Sequence, residues 1–131
     1  MFKLVIAAAL LAVSVVLVVP AETNAAGAFA MGRNDKGGIW YGLQYNSDSV
    51  AEARRGAMRR CREEANGGAC NVVTTFWNKC FAFAWQVGNH NGYGWATRDT
   101  LEAAIGAAVS SCQSHGLPCE IKAQRCDETG Q

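Results

Sequence analysis

Apolar residues recur with the period of an α-helix in two stretches of the chain. The first stretch has them at Val50, Ala53, Ala57, Met58 and Cys61. The second stretch repeats the same spacing at Leu101, Ala104, Ala108, Val109 and Cys112. Because these positions share one face of a helix, both stretches are predicted to be helices that bury that face. Ser49 and Asp99, each followed three residues later by a glutamate, supply the start signals.

Six short segments rich in β-branched and aromatic residues are typical of strands. They are residues 28–32, 39–45, 70–76, 81–87, 92–96 and 119–124. Turn-forming runs rich in Asn and Gly, at 34–38 and 88–92, lie between the first two strands of each half. Each half of the chain is therefore predicted to open with a hairpin.

The predicted elements fall into two matching halves, residues 27–80 and residues 81–126. An Ala-Phe-Ala motif opens each half, at 28–30 and at 82–84, and the order strand, strand, helix, strand follows in both. We therefore expect an α+β fold in which two β-β-α-β internal repeats form one antiparallel-rich sheet with two helices on one face. Residues 127–131 remain as a C-terminal tail.

The N-terminal segment has the pattern of a secretory signal. Lys3 is followed by a run from Leu4 to Val19 in which only Ser14 is polar, and small residues come after Pro20. We expect removal of residues 1–25 and a secreted or periplasmic mature protein. An uncleaved anchor is the alternative, although the run is shorter than the roughly 20 apolar residues of a spanning helix. Charges interrupt every later apolar stretch, so no membrane span is expected in the mature chain.

All six cysteines follow this segment, as expected for a disulfide framework in a small exported domain. Equivalent positions in the two halves favour one pairing among the alternatives. It joins Cys61 to Cys70, Cys112 to Cys119, and Cys80 to Cys126. The last bond is expected to tie the two halves together.

These residues resemble a bacterial family of small exported proteins, the domain of unknown function 4189. The resemblance rests on the Ala-Phe-Ala starts, the Gly- and aromatic-rich second strands, and the Ala-rich helices that end in Cys61 and Cys112. It covers roughly Gly27 to Cys126. It implies an exported disulfide-bonded domain, and it implies no activity and no catalytic residue.

A cluster of arginines in the first helix is the strongest candidate for a binding surface. It comprises Arg54, Arg55, Arg59, Arg60 and Arg62. Such a cluster is suited to phosphate, sulfate, an anionic glycan or lipid headgroups. The alternative is a solvated helix face on which Glu52, Glu63 and Glu64 pair with the arginines. The second helix has no equivalent cluster, so the fold does not require it.

Aromatic residues of the hairpins form a second candidate contact surface. They are Trp40, Tyr41, Tyr93 and Trp95. Exposed rings can stack on sugars or fill a pocket of a protein partner. The alternative is that these rings form the core of a domain whose helices are rich in alanine.

Candidate catalytic and metal-binding residues are few. His90, in the turn Asn89-His90-Asn91, is a candidate general base. His115 lies between Cys112 and Cys119 at a spacing compatible with zinc, but a disulfide is favoured there. No metal and no cofactor is therefore expected.

The sequence favours a binding or interaction module over an enzyme. The formal net charge is only +1, so overall charge selects no class of partner. An envelope protein or an anionic ligand at the arginine helix is the expected partner. The alternatives are a small secreted hydrolase or effector that uses His90, and a passive structural protein of the cell envelope.

Overall fold

The protein is seen in a computed structural model that describes residues 15–17, 25–88, 92–116 and 118–127. Each predicted strand and helix has a counterpart there. The strands are β1 (Ala26–Arg33), β2 (Ile39–Ser47), β3 (Asn71–Trp77), β4 (Cys80–Gln86), β5 (Tyr93–Arg98) and β6 (Cys119–Cys126). The helices are α1 (Val50–Ala65) and α2 (Leu101–Gln113).

Hydroxyl side chains cap the start of both helices. The Oγ of Ser49 accepts a hydrogen bond from the N–H of Glu52 at 3.1 Å, as its position in the sequence predicts. The second helix begins one residue later than predicted, because Thr100 provides the cap through its bond from the N–H of Ala103 at 3.2 Å. Asp99 instead forms an ion pair with Lys79.

The strands form two separate three-stranded antiparallel sheets, with the orders β2-β1-β3 and β5-β4-β6. The α+β class and the strand–strand–helix–strand order of both halves are confirmed. The prediction of a single sheet with both helices on one face is wrong. Each repeat builds its own sheet around its first strand, and each sheet carries its own helix.

The composition of the central strands explains the two-sheet arrangement. In β1, Ala28 and Ala30 pack toward α1, whereas Phe29 between them packs toward the other sheet. In β4, Ala82 packs toward α2 and Phe83 toward the other sheet. Because successive side chains of a strand point to opposite faces, both faces of each central strand are apolar. One helix covers one face, and the second sheet covers the other.

Phenylalanines fill the space between the two sheets. The ring of Phe29 lies 4.8 Å from that of Phe81 and 4.9 Å from that of Phe83, measured between centroids. Phe76 stacks on Phe81 at 5.5 Å. Rings at these separations bury large apolar areas and attract one another through their quadrupoles. The layers are therefore helix, sheet, sheet, helix, with the aromatic core in the middle.

Glycines allow each helix to lie directly on a strand. A Cβ at Gly42 of β2 would overlap the carbonyl oxygen of Ala57 in α1. A Cβ at Gly94 of β5 would overlap the carbonyl oxygen of Ala108 in α2 in the same way. The two repeats thus use the same contact. Ala57 therefore corresponds to Ala108, and the other residues of α2 are matched to residues of α1 by the same difference in residue number.

The structure contains the three disulfides expected from the repeat. Two of them, Cys61–Cys70 and Cys112–Cys119, join the end of a helix to the start of the following strand, with Cα atoms 6.2 Å apart in each. Cys80–Cys126 joins facing positions of β4 and β6. The expectation that this bond ties the two halves together is wrong, because Cys80 lies in the first strand of the second sheet.

The ends of the folded region differ from the predicted boundaries. Ala25 is buried, and its carbonyl oxygen accepts a hydrogen bond from the N–H of Asn78 at 3.0 Å. Asp127, assigned to the tail from the sequence, is fully buried. Apart from Ala25 and residues 15–17, of which the latter are exposed, the predicted signal lies outside the described residues. None of the described helices is both long and apolar enough to cross a membrane.

Candidate functional site

Four arginines surround a methionine on the outer face of α1. The four, called the arginine cluster below, are the exposed residues Arg54, Arg55, Arg59 and Arg62. With Met58 they line a shallow depression of about 400 Å³. They point away from the sheet because alanines, Gly56 and Cys61 occupy the opposite, buried side of the helix.

The fifth predicted arginine does not join this cluster. The Nε of Arg60 donates a hydrogen bond to the Oε1 of Gln44 on β2 at 3.1 Å. Its side chain therefore extends along the flank of the helix toward β2. The structure thus places Arg60 apart from the other four arginines.

The guanidinium groups of the cluster have no carboxylate partner within the described part of the chain. The ion pair formed there is Lys79–Asp99, and the predicted alternative pairing of the arginines with Glu52, Glu63 and Glu64 does not occur. Glu64 instead lines a cavity on the side of the helix that faces Tyr41. Four positive charges are therefore left next to one another without internal neutralisation.

The equivalent surface of α2 is neutral. With Ala57 matched to Ala108, the four cluster positions correspond to Ile105, Gly106, Ser110 and Gln113. Both helices pack on their sheets through the same alanine and cysteine positions. The arginines are thus an addition to a fold that forms without them in the second repeat.

A second group of polar contacts joins β2 to β6. The hydroxyl of Tyr41 donates to the carbonyl oxygen of Lys122 at 3.3 Å, and the N–H of Asn46 donates to the Oδ1 of Asp127 at 2.6 Å. The N–H of Asp127 donates in turn to the carbonyl oxygen of Lys79 at 2.7 Å. Sequence reasoning missed Asp127, because nothing in its neighbourhood along the chain marks it as buried.

Burial raises the pKa of both Asp127 and Tyr41. Burial raises the pKa of the Asp127 carboxyl above its usual value, and the nearby backbone N–H groups of Asn46 and Asn78 oppose this shift. The Oδ2 of Asp127 is buried with no hydrogen-bond partner among the described residues. Burial, followed by the nearby charge of Glu64, raises the pKa of Tyr41 above its ordinary value.

Comparison with known protein families places the whole folded region in one family. The family model described as Domain of unknown function (DUF4189) matches residues 26–126, from the start of β1 to the end of β6. The chain belongs to the DUF4189 family. The resemblance noted in the sequence is thereby confirmed, and the matched unit contains both repeats. No curated protein and no solved structure matches the chain.

The predicted aromatic surface of this DUF4189 domain is divided between two places. Tyr41, Tyr93 and Trp95 pack around the phenylalanines between the sheets. Trp40 lies on the other side of its sheet, where its Nε1 donates to the carbonyl oxygen of Ala69 at 2.9 Å. All four rings are half-buried. The structure thus brings three of them together, as part of the core.

The histidine candidates of the DUF4189 domain remain without a structural argument for catalysis. His90 lies outside the described residues, and its proposed role stays a prediction. His115 is exposed just beyond α2. Cys112 and Cys119, which would have to bind zinc with it, are bonded to each other.

Proposed function

We propose that the protein is an exported binding module that holds a polyanion on the outer face of α1. The single observation that carries this proposal is the arginine cluster, in which four exposed guanidinium groups share one depression without a carboxylate partner in the described chain. Guanidinium groups donate paired hydrogen bonds to phosphate and sulfate oxygens. The ligand class is therefore a chain of phosphate or sulfate groups.

The N-terminal pattern and the three disulfides support export. Disulfides form and persist in oxidising compartments such as the periplasm and the extracellular space. There the ligand would meet a domain whose helix is fixed to the sheet by Cys61–Cys70. A rigid helix presents its arginines in one arrangement, which reduces the entropy lost on binding.

Isothermal titration calorimetry with short-chain polyphosphate and with a sulfated oligosaccharide tests the proposal. The oxidised protein from Glu22 onward is suitable, because it keeps the buried Ala25. We expect Arg55→Gln/Arg59→Gln to weaken binding about a hundredfold, since hydrogen bonds to charged groups contribute about 1.5 kcal/mol each and two arginines are removed. Added salt should weaken binding of the unaltered protein.

The matched control is Lys36→Gln/Arg98→Gln. It removes the same charge from two exposed positions away from α1. This variant should bind with nearly unchanged affinity. An equal loss of affinity in both variants would show that overall charge, and not the arginine cluster, governs binding.

A further inference from the structure

A groove runs between β2 and β6, the adjoining edge strands of the two sheets. The bond from Tyr41 to Lys122 joins the two strands, and the bond from Asn46 to Asp127 joins β2 to the residue directly after β6, five residues further along both segments. The strands therefore run in the same direction there. Between these points they enclose an open cavity of about 610 Å³.

Positive charge lines this groove above a small apolar floor. The apolar residues are Leu43, Ile121 and Ala123, and the cations are Arg60, Lys122 and Arg125. The described lining contains no carboxylate. None of the three cations forms an ion pair with a described carboxylate.

Aromatic rings hold two of these cations in place. The guanidinium of Arg125 lies 5.3 Å from the ring centre of Tyr45, and the ammonium of Lys122 lies 4.7 Å from that of Trp85. Each cation therefore covers a ring face that a sugar would otherwise use for stacking. The groove is better suited to an anionic chain than to a neutral glycan.

The two repeats show that these features are specific to this groove. Strand pairing matches Leu43 to Trp95, since they lie opposite Phe29 and Phe83 respectively. Leu43 lines the groove and also packs against the phenylalanine core, and its side chain is smaller than the ring at the matching position of the other repeat. Trp95 packs into the core between the sheets.

The cations are also absent from the equivalent positions. The same pairing matches Arg125 to Phe76. Lys122 matches Val73, because each is the residue left unpaired at the register shift between its strand and the central strand of its sheet. The helix offset matches Arg60 to Ser111. All three counterparts are uncharged, so the fold does not require a cation at any of these positions.

The facing strand edges supply backbone groups for a peptide. In the described sheets β2 pairs only with β1, and β6 pairs only with β4. An edge strand offers N–H and C=O groups to an added strand, whose side chains then enter pockets alternately. We propose that this groove binds an extended acidic segment of a partner protein by strand addition. The proposal is independent of the polyanion site on α1.

Fluorescence anisotropy with a labelled peptide of alternating glutamate and valine tests this inference. Lys122→Gln/Arg125→Gln should weaken binding about tenfold, and Lys36→Gln/Arg98→Gln should leave it nearly unchanged. A peptide with lysine for glutamate should not bind. Proline in place of the central valine should abolish binding, because it removes a backbone N–H that the strand edge needs.

Leu43→Trp provides a variant without a change of charge. Leu43 lines the groove and packs against the phenylalanine core, so the larger ring should reduce the space for the peptide, and circular dichroism with thermal unfolding checks that the variant is folded. Unimpaired binding by this folded variant would overturn the proposal. So would binding of the proline peptide, or equal competition by a polyuronate, which carries carboxylates without a peptide backbone.

The two proposals fail separately. Arg55→Gln/Arg59→Gln should keep the affinity for the peptide and lose the affinity for polyphosphate. Lys122→Gln/Arg125→Gln should show the opposite pattern. Loss of both ligands from both variants would overturn the assignment of the peptide to the groove.

Discussion

Asp127 is the residue through which the last strand is joined to the rest of the molecule. Its carboxylate accepts from the N–H of Asn46, and its own N–H donates to Lys79. Asn46 and Asn78 both have positive φ, at 54° and 49°, so the chain turns sharply on either side of this carboxyl. A buried acceptor that organises two turns stabilises both of them at once.

The titration of Asp127 predicts a stability that falls as the pH rises. Burial raises the pKa of Asp127 in the folded protein above its unfolded value of about 3.9. The folded state therefore binds the proton more tightly than the unfolded state. The contribution to stability is fully present below the unfolded pKa and is lost as the pH rises through the folded pKa.

Urea unfolding of the unaltered protein and of Asp127→Asn across this pH range measures the effect. The free energy of unfolding of the unaltered protein, taken relative to the variant, should decrease from below pH 4 toward neutral pH. Asp99→Asn is the matched control, and the free energy of unfolding taken relative to this variant should increase with pH. The reason is that the hydrogen bond from Lys79 lowers the pKa of Asp99. A difference that rises with pH for Asp127→Asn would contradict the assignment.

At the scale of the elements, the contact between helix and strand decides the packing. Gly94→Ala should lower the free energy of unfolding by about 1–3 kcal/mol, since its Cβ would overlap the backbone of Ala108 and Cys112. Gly106→Ala is the matched control. Its Cβ meets no atom within 4 Å in α2, so it should raise stability by up to about 1 kcal/mol. Equal effects in thermal unfolding would refute the close approach of α2 to β5.

The elements themselves were predictable, but the way they stack was not. Periodicity gives both helices, because their apolar faces recur over three turns. The hairpins follow from their turn residues. To predict two sheets, one must recognise that alanine and phenylalanine in β1 and β4 form two different apolar faces, one for the helix and one for the other sheet. Both residue types are hydrophobic, so the alternation carries no polar signal that would show two covered faces.

The arginine cluster and the groove also differ in whether the sequence alone predicts them. The arginine cluster was predictable because its members lie within three turns of one helix. The groove between β2 and β6 was not, because Tyr41 and Lys122 are 81 residues apart in sequence. Their proximity depends on how the two sheets stack.

At the scale of the whole molecule, the disulfides contribute unequally. Cys80–Cys126 closes a loop with a sequence separation of 46, and Cys112–Cys119 closes one of 7. Since a longer loop restricts the unfolded chain more, the model of chain entropy gives about 4 and about 2 kcal/mol respectively. Cys80→Ala/Cys126→Ala should therefore lower the urea midpoint more than Cys112→Ala/Cys119→Ala does. The reverse order would show that local packing outweighs chain entropy.

Charge is also distributed unevenly over the whole molecule. The formal net charge is +1, yet α1 and the groove carry groups of cations that have no described carboxylate partner, whereas α2 carries none. Two repeats of one fold thus differ mainly in surface chemistry. The first repeat supplies most of the positive charge, and the second supplies β6 to complete the groove.

The most direct test of polyanion binding by α1 is to map the bound surface by nuclear magnetic resonance. Short-chain polyphosphate is added to the oxidised, isotope-labelled protein, and the shifts of the amide, arginine Nε–H and methionine methyl signals are followed. We predict that the largest shifts belong to Arg54, Arg55, Arg59, Arg62 and the methyl group of Met58. Shifts centred on α2, or no shifts at a polyphosphate concentration that saturates binding in calorimetry, would contradict the assignment of the site to α1.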